Sequence, residues 1–222
     1  MNKALVVIAL GVVAFVGMAA FLSTRKQDNS NPTPTASSVA SVAPVVREEQ
    51  ATTTPSAVPN TALAYPIGDF KNRITKKFFG TYVTPNNSPV QPEKFTGYHT
   101  GVDVEYTDID TDVPVYAISD GTVLLARWAS GYGGVIAIQH KINGQPVIAI
   151  YGHVNPEQLP KVGQKVVKGQ KIGILGKGYS HETDGERKHL HFGLVKGVKF
   201  TLLGYVPNKS QLSAWIDPMT VF

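Results

Sequence analysis

A strict alternation of apolar and other residues runs through Lys188-His189-Leu190-His191-Phe192-Gly193-Leu194-Val195. It predicts a β-strand whose apolar side chains face a core, because successive side chains of a strand point to opposite faces. The two histidines and the glycine then share the other face, with the histidines about 6.7 Å apart along the strand. That spacing is too wide for a mutual hydrogen bond. It suits one imidazole that binds a metal and one that reaches a metal-bound water or a substrate, and it equally suits two polar residues on a solvent-exposed face.

Short apolar segments of the same kind recur through the C-terminal part of the chain. They cover residues 113–118, 121–128, 135–139, 147–151, 171–175 and 189–195. Turn signals separate them, notably Asp120-Gly121, Asn143-Gly144 and Lys168-Gly169. The Asn-Gly pair predicts a tight hairpin between the two segments beside it. Since no long window has a 3.6-residue apolar period, the sequence predicts a mainly β fold, a small antiparallel β-sheet domain.

The first 63 residues differ in composition from the rest, and we expect three segments. Residues 1–22 contain an uncharged run that would span about 28 Å as a helix, and we interpret it as a signal-anchor or, if cleaved, a signal peptide. Residues 23–63 are rich in Pro, Ser and Thr, which predicts a disordered linker. Residues 64–222 are expected to fold. This organisation predicts a domain anchored at the cell membrane on its extracytoplasmic side, or secreted if the signal is cleaved.

The composition restricts the chemistry and the partners. No cysteine is present, so disulfides and thiolate metal sites are excluded, and a metal would need His, Asp or Glu ligands. The formal net charge is +5, a mild excess that fits an anionic surface such as a cell wall or a membrane. Nucleic acid is not expected as a partner, because the sequence has no basic stripe with interleaved aromatic residues.

Two further motifs contain histidines. In His99-Thr100-Gly101-Val102-Asp103 a histidine and a carboxylate lie four residues apart, and the glycine between them lets the backbone bend. In Tyr151-Gly152-His153 a histidine follows a predicted strand. Each motif alone is common in proteins without a site there. With the histidine pair of the alternating strand, the two motifs offer five candidate functional residues.

The motifs occur in an order that resembles the lysostaphin/LytM-type zinc metallopeptidase family. The resemblance covers about residues 65 to 195 and rests on five positions that match together. It implies a fold of the duplicated hybrid motif type with a long groove, one Zn²⁺ per chain, and hydrolysis of peptide bonds in bacterial peptidoglycan by a metal-activated water. It also implies the metal ligands His99, Asp103 and His191 and the catalytic pair His153 and His189. Which histidine of the pair is the general base, and which peptide bond is cut, the resemblance leaves open.

The sequence departs from the family pattern at two places. Gly193 stands where the family usually has an acidic residue, so we expect a side chain to be missing from the groove near the metal. Charged residues 184–188 replace the usual approach to the last motif, and we expect the loop 181–188 to line one wall of the groove. His181 is interpreted as a solvated loop residue and His140 as a structural or groove-lining residue. Tyr98 is a candidate donor to an oxyanion.

Two other functions are compatible with parts of the sequence. A catalytically silent cell-wall binding or hydrolase-regulating module could have the same fold, although such family members lose ligand residues and all five positions are kept here. A phosphocarrier or lipoyl-type carrier shares a double-turn layout like that of residues 162–176, but it would not need Asp103. A regulatory protein partner would suit either the enzyme or the silent module, and the sequence does not identify one.

Overall fold

The computed structural model describes residues 62–222. The predicted N-terminal helix, residues 1–22, and nearly all of the predicted linker, residues 23–63, lie outside the described residues and stay predictions. Within residues 62–222, every helix is too short or too polar to cross a membrane.

The described part of the chain has twelve β-strands and four short 3₁₀ helices. The strands are β1 Tyr82–Val83, β2 Gly97–His99, β3 Gly101–Glu105, β4 Pro114–Tyr116, β5 Gly121–Ala129, β6 Gly133–Ile142, β7 Gln145–Val154, β8 Lys165–Val166, β9 Lys171–Ile174, β10 His189–Lys196, β11 Tyr205–Val206 and β12 Trp215–Ile216. The 3₁₀ helices are Pro156–Gln158, His181–Thr183, Lys209–Ala214 and Pro218–Thr220. The predicted mainly β fold is confirmed, and every predicted segment contains a strand.

The largest sheet is antiparallel, with strand order β12-β10-β7-β6-β5-β8 and with β3 also paired to β10. β10 therefore has neighbours along both edges, with β7 on one edge and β3 followed by β12 on the other. Two smaller sheets, β1-β2-β11 and β4-β9, complete the described fold. Because β10 is bonded on both sides, the positions of its side chains are set by two registers at once.

The predicted Asn143-Gly144 hairpin joins β6 to β7. Asn143 and Gly144 have φ angles of 51° and 77°, as the two-residue turn that matches strand twist requires. Ile142 accordingly pairs with Gln145. This turn sets the register of the two ten-residue strands, one of which ends in the second histidine motif.

The two faces of the main sheet pack against different clusters. The larger core contains Tyr151, Leu190 and Phe192, all with 0% of their surface exposed. A smaller cluster on the opposite face contains Ile150 and Trp215. Leu190, Phe192 and Leu194 of β10 thus lie in the larger core, as the alternation predicts, and its histidines lie on the face of the smaller cluster, which also contains Val195.

Candidate active site

The register of β10 against its two neighbours brings the first candidate residues together. His191 lies directly opposite Asp103 of β3 and Gly152 of β7, so the three positions share one face of the sheet. A Cβ at position 152 would lie 2.6 Å from Cδ1 of Tyr132 and 3.2 Å from Cβ of His191. Gly152 therefore leaves the space in which the ring of Tyr132 packs beside His191.

His99 reaches the same place from β2. Both polar groups of its backbone are bonded to one neighbouring segment, since Gly80 donates its N–H to the carbonyl of His99 and His99 donates to the carbonyl of Thr81, both at 2.8 Å. The chain then turns into β3 through Gly101, where a Cβ would overlap the backbone carbonyl of Phe192. The glycine of the first motif is thus required by close backbone packing.

Three potential ligand atoms converge in the interior. Nε2 of His99 lies 3.0 Å from Nδ1 of His191, and Oδ1 of Asp103 lies 3.2 Å from each of these nitrogens. Ligand atoms about 2.0–2.1 Å from a tetrahedral zinc ion lie about 3.3–3.4 Å from one another. The observed triangle is therefore close in size to the one that such an ion requires.

The protonation of these groups also fits a cation. Nδ1 of His99 lies 3.2 Å from the carbonyl oxygen of Phe78, so it donates its proton there and leaves a lone pair on Nε2. Burial opposes the charge of Asp103, but the adjacent histidines, His189 and then His99, lower the pKa of Asp103 well below its usual value. A lone pair and a carboxylate oxygen thus face each other at 3.2 Å, an arrangement that a positive ion between them stabilises. The residues present fit zinc, which prefers nitrogen and oxygen ligands in this number.

His153 comes to the site through a β-bulge in β7. Gly134 pairs with Val154 and Val135 pairs with Gly152, so His153 is the extra residue between two ladder pairs. Its φ is 61°, in the left-handed region that residues other than glycine seldom adopt. Bulges of this kind change the direction of a side chain beside a site.

The bulge moves His153 from one face of the sheet to the other. Regular alternation would place His153 on the face of Tyr151, which lies in the larger core. Instead its ring lies 4.3 Å from the ring of His189, measured between centroids. The structure therefore brings all five candidate residues to one face, and the alternative of a solvent-exposed histidine pair on β10 is wrong because His189 and His191 are 2% and 4% exposed.

Hydrogen bonds orient His153 and His189 in the same way. Nδ1 of His153 lies 3.2 Å from the carbonyl oxygen of Thr183, and Nδ1 of His189 lies 2.8 Å from that of Arg187. Each Nδ1–H donates to its carbonyl, which leaves a lone pair on each Nε2. Burial lowers the pKa of His153 to about 3 and lowers the pKa of His189 well below its usual value. Both rings are therefore neutral at pH 7 and able to accept a proton.

Arg187 is a site residue that the motifs do not reveal. It is 3% exposed. Its Nη2 donates to Oδ2 of Asp103 at 2.9 Å and to Oε1 of Glu105 at 2.6 Å, while its Nε donates to Oε2 of Glu105 at 2.8 Å. The available signal in the sequence is the charged segment just before β10, which departs from the family pattern.

An open cleft lies over these residues. Its lining comprises Lys77, Phe95, Thr96, Asp103, Ser130, Gly131, Tyr132, His153, Glu186, Arg187, His189, His191, Leu202, Leu203, Gly204 and Tyr205. Two members of the lining, Glu186 and Arg187, come from the loop that was expected to form a wall, which confirms that expectation for these two residues. The cleft gives a substrate access to the side of the ligand triangle.

Two tyrosines of the cleft also escape the sequence motifs. The hydroxyl of Tyr132 is buried and has no hydrogen-bond partner among residues 62–222, and burial raises its pKa, so it stays protonated. The hydroxyl of Tyr205 accepts a hydrogen bond of 2.8 Å from Nζ of Lys77. Tyr98, the tyrosine considered from the sequence, packs instead against Tyr82 with 4.8 Å between ring centroids, and it does not line the cleft.

Gly193 does not open a gap in the cleft. A Cβ at this position would lie 3.2 Å from Cζ3 of Trp215 and 3.7 Å from Nε2 of His191. A side chain there would meet a buried tryptophan before it reached the cleft. The expectation that a side chain is missing from the groove is therefore not met, although Gly193 does lie on the predicted face of β10.

The two remaining histidines lie away from the cleft. His140 is 1% exposed, and its Nδ1–H donates to the carbonyl oxygen of Asp120 at 3.0 Å. It lines a different cavity, beside β5 and β8. His181 is exposed and stacks on Trp128 with ring centroids 5.0 Å apart. Neither histidine belongs to the ligand triangle.

Comparison with known proteins tests the family resemblance. The model of Peptidase family M23 matches residues 97–201, which confirms the resemblance to the lysostaphin/LytM-type family. Peptidoglycan DD-endopeptidase ShyA of Vibrio cholerae is 33% identical over 131 residues, which are 59% of this chain and 26% of ShyA. Murein hydrolase activator EnvC of Escherichia coli is 42% identical over 62 residues, which are 28% of this chain and 14% of EnvC. The chain thus spans about a quarter or less of these relatives.

A solved structure is similar over most of the described region. The catalytic domain of the antimicrobial peptidase lysostaphin from Staphylococcus simulans shares 27% sequence identity, with a TM-score of 0.47. The match covers 67% of this chain and 92% of that domain.

Proposed function

We propose that this chain, which carries a peptidase M23 domain over residues 97–201, is a zinc-dependent endopeptidase that hydrolyses peptide bonds in bacterial peptidoglycan. The observation that carries the proposal is the convergence of His99, Asp103 and His191 into a triangle with sides of 3.0–3.2 Å beside an open cleft. His153 and His189 stand next to this triangle, and Nε2 of His189 lies 3.4 Å from Oδ2 of Asp103. We assign the first three residues as metal ligands and the other two as catalytic residues.

One zinc ion per chain would supply Lewis-acid polarisation of the scissile carbonyl and would lower the pKa of a water molecule toward 7. Three protein ligands leave one position of a tetrahedral ion for that chemistry. The chain's own contribution begins with the ligand set, which is buried and held by strand pairing on both sides of β10. A buried, pre-ordered set needs no rearrangement when the substrate arrives.

His153 and His189 handle protons. Each donates Nδ1–H to a backbone carbonyl, so each has one basic nitrogen with a fixed direction. One ring takes a proton from the attacking water, and one gives a proton to the leaving amine. Because the rings are in contact at 4.3 Å between centroids, charging one ring raises the cost of charging the other.

Tyr132 contributes a neutral donor in the same cleft. Its hydroxyl has no partner among the described residues and its raised pKa keeps it protonated. A substrate carbonyl that enters the cleft can accept this hydrogen bond.

The second candidate function is a catalytically silent module that regulates a cell-wall hydrolase. The similarity of 62 residues to a murein hydrolase activator favours it. Against it, all five candidate residues are present and their side chains lie together beside the cleft. A silent module has no need of a left-handed, bulged His153, which costs on the order of 1–3 kcal/mol of backbone strain.

The location of the enzyme is also part of the proposal. The uncharged run within residues 1–22 supports a membrane anchor, and the Pro/Ser/Thr-rich residues 23–63 support a linker that carries domain 64–222 on the extracytoplasmic side. Peptidoglycan would then be within reach of the cleft, while a regulatory partner remains unidentified.

The test measures metal content and hydrolysis on the purified full chain. We expect about one zinc per chain and new peptide termini when purified peptidoglycan is the substrate, detected by mass spectrometry of the soluble fragments. Removal of the metal with a chelator should abolish hydrolysis, and added Zn²⁺ should restore it. Zinc without hydrolysis would favour the silent module, and the absence of zinc binding would refute the proposed function.

A further inference from the structure

Arg187 contacts the candidate site through its side chain and through its backbone. Its guanidinium donates to Oδ2 of Asp103, and its backbone carbonyl accepts the Nδ1–H of His189. It therefore touches one proposed ligand and one proposed catalytic residue. No other described residue is hydrogen-bonded to both of them in this way.

Glu105 holds the guanidinium in place. It accepts Nε–H at 2.8 Å and Nη2–H at 2.6 Å, so one edge of the planar group is fixed by two bonds. Glu105 lies two residues after Asp103 on β3, and both side chains therefore point to the same face. The Nη2 group can then reach Oδ2 of Asp103 without losing its bond to Glu105.

This arrangement separates the partners of the two oxygens of Asp103. Oδ2 accepts the bond from Arg187 at 2.9 Å and also lies 3.4 Å from Nε2 of His189, whereas Oδ1 faces His99 and His191 at 3.2 Å. A bond to Oδ2 restrains rotation of the carboxylate. Such outer partners of metal ligands set the orientation of the ligand and the strength of metal binding.

The charges of Asp103 and Glu105 also require a bond to Arg187. Asp103 and Glu105 are 2% and 7% exposed, and two buried carboxylates on one face of a strand repel each other unless a cation lies between them. The guanidinium of Arg187 bonds to both carboxylates and supplies that positive charge. An ammonium group could supply the charge but not the fork that bonds two carboxylates at once.

We propose that Arg187 is a positioning residue of the metal centre, which occupies Oδ2 of Asp103 and so presents Oδ1 to the ion. The inference rests on the proposed function, since it concerns the zinc ligands assigned there. It adds a residue and a role that the five motif positions do not contain.

The experiment measures Zn²⁺ affinity of the full chain by competition with a chromophoric chelator. Arg187→Met removes both the charge and the fork, and we expect metal binding to weaken by about 10- to 100-fold. Arg187→Lys keeps the charge and removes the fork, and we expect a loss in the same range. Arg127→Lys is the control: Arg127 is exposed and donates to the carbonyl of Trp128, away from the cleft, and the affinity should be unchanged.

A double variant separates positioning from charge neutralisation. In Arg187→Met/Glu105→Gln the buried pair is replaced by neutral groups, so the fold no longer contains a Glu105 carboxylate whose remaining partner is Lys76 at 3.8 Å. If Arg187 positions Asp103, zinc affinity stays weak in the double variant. If affinity returns to the value of the unmodified chain, Arg187 merely neutralises Glu105 and the inference is overturned. This variant also answers the question if Arg187→Met fails to fold.

Substitution with Co²⁺ adds a readout that a general loss of stability does not change. The visible absorption of bound Co²⁺ depends on the number and geometry of its ligands. We expect Arg187→Lys, measured at saturating Co²⁺, to alter this spectrum, because the carboxylate can then rotate. An unchanged spectrum together with unchanged affinity would overturn the inference while leaving the proposed function intact. If the unmodified chain itself bound no zinc, the proposed function would be the part that fails.

Discussion

Strands β10 and β7 bring histidines to the same cleft by opposite means. β10 is regular: His189 and His191 are two residues apart and share a face because strand side chains alternate. β7 is irregular: His153 is the extra residue of a bulge and has a left-handed φ of 61°. The first arrangement follows from favourable backbone angles, whereas the second is maintained against its local preference.

The bulge in β7 allows histidines of two neighbouring strands to lie on one face of the sheet. Three adjacent strands with regular alternation would place His153 and His191 on opposite faces. The bulge turns one residue over, and Gly152 leaves the space beside it. Regular strand pairing therefore places Asp103 and His191 opposite each other, and the bulge places His153 beside them.

The largest effect is expected at the regular strand pair. His191→Ala and Asp103→Ala each remove one of three ligands, so zinc binding and peptidoglycan hydrolysis should both be lost. Metal analysis and hydrolysis of purified peptidoglycan provide the measurement. His140→Ala, at a buried histidine outside the cleft, is the control and should keep its zinc. Full zinc content in His191→Ala would show that the ligand assignment is wrong.

The two proposed catalytic histidines should behave alike despite their different backbones. His189→Ala and His153→Ala leave the ligand triangle intact, so we expect zinc to be retained and turnover to fall roughly 10²- to 10⁴-fold. Parallel measurements of zinc content and initial rates test this. Loss of zinc in His189→Ala would show that His189 is a metal ligand. An unchanged rate in His153→Ala would show that His153 takes no part in the mechanism.

A substitution at Gly152 tests how closely β7 packs against Tyr132 and His191. An alanine Cβ would lie 2.6 Å from Tyr132 and 3.2 Å from His191, and overpacking of this kind costs about 1–3 kcal/mol. We therefore expect Gly152→Ala to lower the free energy of unfolding by that amount in denaturant titrations. Gly173→Ala is the control, because the nearest atom to its Cβ is 3.4 Å away. Equal stability of the two variants would mean that His191 and Tyr132 move aside easily.

The strain of the bulge can be measured separately from its chemistry. Both His153→Gly and His153→Ala lose the imidazole, but only glycine adopts φ near 61° without penalty. We expect the glycine variant to be more stable than the alanine variant by about 1 kcal/mol. Denaturant titrations of the two variants give the difference. If the alanine variant were the more stable, β7 would not be held in the left-handed conformation at this residue.

The smallest effect concerns a buried histidine on the regular part of β6. Burial lowers the pKa of His140 below 6.5, so the unfolded chain binds a proton more readily than the folded one. This contribution to stability is present above about pH 6.5 and is lost as the pH falls toward the folded pKa. Between pH 7.5 and 5.5 the unfolding free energy of His140→Asn, measured in denaturant titrations, should therefore fall less than that of the unmodified chain.

Much of the site could be predicted before its geometry was known. The alternation around His191 established the strand and both of its faces, and the Asn143-Gly144 pair established the hairpin. Arg187 could not be found in this way, because its partners Asp103 and Glu105 lie more than 80 residues earlier in the chain. Tyr132 lies in the turn between β5 and β6, and Tyr205 lies on the two-residue strand β11. Neither segment is long enough to show a periodic pattern.

The sequence by itself determined the class of fold and the orientation of β10, because alternation and turn chemistry are local properties, and its resemblance to a known family proposed the five candidate residues. Tertiary structure alone decided that His153 lies on the site face, that Gly193 faces Trp215, and that Arg187 bonds the carboxylate of Asp103. Each of these depends on the register between strands distant in sequence. A bulge of one residue reverses the direction of a side chain, and no local pattern records on which strand that extra residue falls.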